Sequence, residues 1–91
     1  MKKNRALIVD DEKNIRMTLA QAMESLGLET DTAVNGEEAL EKFEKEEFDL
    51  ALLDLKMPGI DGMETLRRLR QTRKDIKVVI ITAYGSVDSA V

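Results

Sequence analysis

The 91 residues include no cysteine, no histidine and no tryptophan, and only one proline. Without cysteine there is no disulfide frame and no thiolate metal site. Without histidine there is no Ser-His-Asp chemistry, no His-ligated zinc and no histidine pH switch. No apolar run approaches the ~20 residues of a membrane span. The basic start Met1-Lys2-Lys3 is followed by an apolar stretch too short for a signal peptide, so a cytoplasmic location is the expectation. Repeats, low-complexity tracts and linkers are also missing. The net charge of -4 gives no general electrostatic pull on nucleic acid.

What is present suits a single globular domain over residues 1–91. A chain of this size buries roughly 60–65% of its unfolded surface, enough for one modest core. Disorder is excluded, because the 43% of apolar residues fall in periodic runs.

Ala6–Val9 reads as a short buried strand. Lys13–Leu26 reads as a helix, with Ile15, Leu19, Ala22, Met23 and Leu26 on one stripe and Gly27 as its stop. From Leu28 to Val34, Leu28, Thr30, Thr32 and Val34 alternate with Glu29, Asp31 and Ala33, a strand whose second face is wetter and which suits a sheet edge. Asn35 and Glu38 have the spacing of a capping box for a second helix, with Ala39, Leu40 and Phe43 inward. Leu50–Leu53 is a third strand. Met57-Pro58-Gly59-Ile60 fits a type II turn. Asp61 and Glu64 repeat the capping logic for a third helix, with Met63, Leu66 and Leu69 inward and Arg67, Arg68, Arg70, Arg73 and Lys74 as a solvated basic face and tail. Val78–Ile81 is a fourth strand, apolar on both faces, and Ser86 is placed to cap a fourth helix. Strands alternating with helices predict a parallel sheet with right-handed crossovers, and apolar strands predict helices on both faces.

In such a sheet ligands bind outside the carboxyl ends of the strands, at the switch point. Asp10 and Asp11 close the first strand and Asp54 closes the third. If those strands are neighbours, three carboxylates meet at one edge. Like charges that close repel, and desolvation adds to the cost. A hard divalent cation with oxygen ligands relieves both, which points to Mg²⁺. Either Asp10 or Asp11 alone could be read as a cap for the first helix. The pair together with Asp54 exceeds what capping needs.

The acidic pair Asp10-Asp11, Asp54 within Leu52-Leu53-Asp54-Leu55-Lys56-Met57-Pro58-Gly59-Ile60-Asp61-Gly62, and Thr82-Ala83 after the fourth strand resemble the receiver domain of bacterial two-component response regulators. The stretch Thr82-Ala83-Tyr84-Gly85-Ser86-Val87 is most similar to receivers of the nitrogen-regulatory class, which precede an AAA+ ATPase and a DNA-binding domain. The resemblance implies a flavodoxin-like (CheY-like) α/β fold and an activity. A histidine kinase would pass a phosphoryl group to Asp54. Mg²⁺ would be held by Asp10, Asp11, Asp54 and the backbone carbonyl of Lys56, and Thr82 would hydrogen-bond the phosphoryl group. It implies a phosphoryl-accepting signalling domain rather than a turnover enzyme, which in full-length form regulates transcription without itself binding nucleic acid.

The chain departs from the family pattern in stopping at Val91. The expectation is a receiver of strand order 2-1-3-4 with strand five absent, together with most of helix four, helix five, and the lysine that pairs with the phosphoryl group. Phosphorylation and output would then be impaired. The alternative reading is a structural or engineered fragment that self-associates through the exposed edge of strand four. Acyl-phosphate labelling and solution mass separate the two.

Overall fold

The computed structural model describes residues 4–55, 59, 61–73 and 75–81. Four strands and three helices alternate along them: β1 (Arg5–Val9), α1 (Lys13–Ser25), β2 (Glu29–Ala33), α2 (Gly36–Lys45), β3 (Leu50–Asp54), α3 (Gly62–Thr72) and β4 (Lys77–Ile81). The strands form one parallel sheet in the order β2-β1-β3-β4. The expected order 2-1-3-4 therefore holds, and β2 is an edge strand as its polar composition suggests.

This order divides the helices between two faces. The chain moves from β1 outward to β2, then back across β1 to β3. Right-handed crossovers in opposite directions put α1 on one face and α2 on the other. Leu7, Val9, Ala51 and Leu53 share the second face with Ala39 and Phe43 of α2 and Leu69 of α3, and these form the main core. Ala6, Ile8 and Leu52 have the opposite parity, are also buried, and lie on the α1 side. Phe43 and Phe48 meet edge to face, with centroids 5.5 Å apart.

Both predicted caps form. The Asn35 side chain accepts from the Glu38 amide at 2.7 Å, and Glu38 reaches back to the Val34 amide at 2.8 Å. The Asp61 side chain accepts from the Glu64 amide at 2.9 Å. Gly59 has φ +79°, the left-handed value a type II turn requires at its third residue. Met57, Pro58 and Ile60 of that turn lie outside the described residues, as do Lys74, the loop Thr82–Gly85 and the fourth helix expected from Ser86.

Some inward assignments need correction. Leu26 is 71% exposed, because it is the C-cap of α1 and the turn into Gly27 carries its side chain off the sheet. Ala22 is exposed as well. Met63 is 57% exposed, since the buried positions of α3 are Gly62, Thr65 and Leu69, which leaves Met63 on the flank. On β2, Ala33 is fully buried and Val34 is exposed, the reverse of the alternation read from sequence. The Asp31–Ala33 face is the one α2 covers. Lys42 lies against it, donating to Asp31 Oδ1 at 3.0 Å and to the Thr32 carbonyl at 2.6 Å. The basic side of α3 is less free than expected. Glu64 binds Arg67 and Arg68, Arg70 donates to the Ile76 carbonyl, and Arg73 donates to the Phe43 carbonyl at 2.9 Å.

Candidate functional site

Strand register brings the acids together. β1 and β3 pair with Val9 opposite Leu53, so Asp10 and Asp54 leave the sheet side by side at its carboxyl edge. Asp11 follows in the turn toward α1. One carboxylate oxygen from each of Asp10, Asp11 and Asp54 lies within 4.8 Å of the other two. Asp10 is 2% exposed and Asp54 1% exposed, whereas Asp11 is open to solvent. The three carboxylates expected to meet do meet, two of them buried and one exposed.

Local hydrogen bonds fix the turn. The Asp10 amide donates to the Ala33 carbonyl at 3.1 Å, which ties the end of β1 to β2. Asp10 Oδ1 accepts from the Glu12 amide at 2.8 Å. Glu12 is the N-cap of α1 and makes no side-chain cap bond. Neither Asp10 nor Asp11 therefore caps the helix in the usual way, and capping does not account for the pair. Arg16, half-buried in the first turns of α1, donates from Nη1 to the Asp10 carbonyl at 2.8 Å.

The electrostatics follow from this crowding. Burial pushes the Asp10 carboxyl above its ordinary value, and the charges of Asp54 and Asp11 push it further. The Glu12 amide and Arg16 act the other way. An ionised Asp10 is thus held at a cost that a cation would relieve. The donors are all hard oxygens, with no nitrogen or sulfur ligand among them. Ligand oxygens on opposite sides of a Mg²⁺ ion stand about 4 Å apart, and those of Ca²⁺ somewhat further, so the observed spacing suits a hard divalent ion.

On the far side of Asp54 the chain meets α3. The Leu55 amide donates to the Ile81 carbonyl at 3.3 Å, and the Gly62 amide donates to the Leu55 carbonyl at 3.1 Å. Thr65 is fully buried and its hydroxyl donates to the Asp61 carbonyl at 2.9 Å. Sequence reasoning missed Arg16 and Gly62. Arginine on a helix ordinarily reads as solvated, and the tight approach at Gly62 depends on where Leu55 lies after folding. Lys56 and Thr82, both expected at the site, lie outside the described residues.

A doubly wound parallel sheet with an acidic cluster at the carboxyl ends of its two central strands is the architecture of a phosphoryl-signalling receiver. The chain belongs to the response regulator receiver domain family, whose model matches residues 6–91. It is 44% identical over 88 residues to the sporulation initiation phosphotransferase F of Bacillus subtilis (strain 168), covering 97% of this chain and 71% of that protein. Against the DNA-binding transcriptional regulator NtrC of Escherichia coli (strain K12), it is 38% identical over 84 residues, covering 92% of this chain but 18% of the relative. Among solved structures it is similar to the response regulator TrrA of Thermotoga maritima in complex with Mg²⁺-BeF. There the identity is 49% and the TM-score 0.85, over 90% of this chain and 71% of that one. A structure of the histidine kinase ThkA in complex with TrrA matches at 48% identity and TM-score 0.84, over 92% of this chain and 72% of the matched chain.

Proposed function

We propose that Asp54 is the phosphoryl acceptor of this receiver, that Asp10, Asp11 and Asp54 hold Mg²⁺ with the backbone carbonyl of Lys56, and that Thr82 hydrogen-bonds the phosphoryl group. The observation that carries the reading is the meeting of three carboxylates within 4.8 Å at two neighbouring strand ends. The ion, when bound, would neutralise charge on the carboxylates and the phosphoryl oxygens. Asp54 contributes the nucleophilic carboxylate oxygen. That oxygen forms a new bond to phosphorus as the bond from phosphorus to the donor's nitrogen or oxygen breaks, and the donor leaves with that electron pair. The product is a mixed anhydride, labile enough for a transient signal. Asp10 and Asp11 keep their side-chain oxygens available to the cation beside it.

The donor in this proposal is a histidine kinase, as the ThkA–TrrA complex suggests by analogy. Asp54 is modified and then restored, so the domain is a signalling element rather than a turnover enzyme. Its similarity to NtrC supports a role in transcription control, exerted through other parts of a longer regulator, with the receiver working in the cytoplasm. No described helix is long and apolar enough to cross a membrane.

The test is mass spectrometry after incubation with a small phosphodonor and Mg²⁺. The chain should gain one phosphoryl group, labile to hydroxylamine, and Asp54→Asn should gain none. Acyl phosphate on Asp10 or Asp11 would overturn the assignment.

A second reading concerns assembly. Val79 and Ile80 of β4 point to opposite faces of the sheet and are 47% and 37% exposed. That observation favours association of two copies along β4.

A further inference from the structure

A side chain at position 62 has no room. A Cβ built on Gly62 would lie 2.4 Å from the Asp54 carbonyl oxygen and 2.5 Å from the Leu55 Cα. Both neighbours are backbone, so neither can rotate away. The Gly62 amide also donates to the Leu55 carbonyl at 3.1 Å. The first residue of α3 is thus pressed onto the peptide that carries Asp54, and the bond ties the helix start to the end of β3. The helix start is itself held from below. Thr65 is fully buried, and both its amide and its hydroxyl donate to the Asp61 carbonyl, at 3.0 and 2.9 Å.

We propose that Gly62 is a positioning residue for the acidic site, setting through the Asp54–Leu55 backbone where the Asp54 carboxylate stands relative to Asp10 and Asp11. Gly62 touches neither the cation nor the phosphoryl group. Its part is to let α3 seat directly on the end of β3. Any larger residue would have to lift the helix start or push the end of β3 back. The second movement shifts Asp54 within a group of carboxylates whose oxygens now lie within 4.8 Å of one another. The first pulls the Gly62 amide off the Leu55 carbonyl, loosening the peptide that follows Asp54. Either shift weakens cation binding while every ligand side chain is kept. The inference rests on the reading of Asp10, Asp11 and Asp54 as a cation site.

The experiment titrates Mg²⁺ into the full chain while amide chemical shifts are recorded, for the wild type, Gly62→Ala and Ile76→Ala. Ile76 is buried just ahead of β4, at the sheet edge opposite the acids, so its truncation destabilises without touching the site. The wild type and Ile76→Ala should bind alike. Gly62→Ala should bind about tenfold or more weakly, the usual size of an effect passed through a ligand's supports. If Gly62→Ala does not stay folded, the three titrations are repeated in trimethylamine N-oxide, which favours the folded chain. Equal affinity in folded Gly62→Ala and wild type would overturn the inference. A comparable loss in Ile76→Ala would also overturn it, by showing that lowered stability alone explains the effect. A wild type that shows no Mg²⁺ response near Asp11 and Asp54 would instead sink the cation site itself.

Discussion

Arg16 donates to the backbone carbonyl of Asp10, not to its carboxylate, at 2.8 Å. The helix that follows the acidic turn therefore grips the turn's main chain while leaving the carboxylate oxygens to other partners. A hydrogen bond from a charged group in a half-buried setting contributes roughly 1.5–3 kcal/mol. Arg16→Leu should lower stability by about that amount. If the bond dominates, most of the loss should survive in an Asp10→Asn background. A purely Coulombic role would vanish there. A double-mutant cycle on thermal unfolding measures the difference.

Asp10→Asn should stabilise the metal-free domain. The carboxyl is buried against two others, and its ionised form opposes folding. The direction follows from its raised value. Stability from the protonated form is fully present below the unfolded value of 3.8 and is lost as pH rises through the higher folded value. At neutral pH the variant should melt above the wild type, because the cost of the buried charge is gone. The gain should shrink on acidification. Added Mg²⁺ should raise the wild type's melting temperature more than the variant's, and thermal scans with and without the ion check both points.

Glu64 should titrate far below an ordinary glutamate. Hydrogen bonds from Arg67, then from Arg68, hold it ionised, lowering its value from 4.5 to about 2. Its contribution to stability is therefore present above the unfolded value and is lost as pH falls toward the folded one. The side chain is partly open to solvent, so salt should weaken the effect. Carbon-detected NMR of the Glu64 carboxyl should show a midpoint near 2 in the wild type. In Arg67→Gln the midpoint should move back toward 4.5.

The legible parts of this fold were those set by local pattern. Three apolar runs and one alternating stretch became four strands, and Asn35 and Asp61 cap helices because a short polar side chain before an apolar stripe has few better uses. Connection rules gave parallel strands with right-handed crossovers, whereas the strand order came from the resemblance to the receiver family; once that order holds, the meeting of Asp10, Asp11 and Asp54 follows. The illegible parts depend on where neighbours stop. Leu26 and Met63 fit an apolar stripe, yet the sheet does not extend beneath them. Ala33 was assigned to the wetter face because its companions there are Glu29 and Asp31, but α2 covers that face. Arg16 and Gly62 carry no pattern at all, since each matters through a backbone group distant in sequence or masked by a turn.

β4 should act as a contact surface. Among the described residues it pairs only with β3, and a second copy would pair along its other edge. Val79 stands opposite Leu52 on the α1 side and Ile80 opposite Leu53 on the α3 side, and both remain substantially exposed. Burying one such side chain gains roughly 1.5–3 kcal/mol, so two copies pairing along this edge would cover apolar surface on both faces at once. Light scattering over a dilution series of the 91-residue chain should show mass rising with concentration. Val79→Lys should suppress the rise, because pairing would then bury a charge. Hydrogen exchange at residues 78–81 should become more protected as the larger species forms. A chain that stays monomeric across the series, with those amides already protected, would show that β4 satisfies itself within one copy.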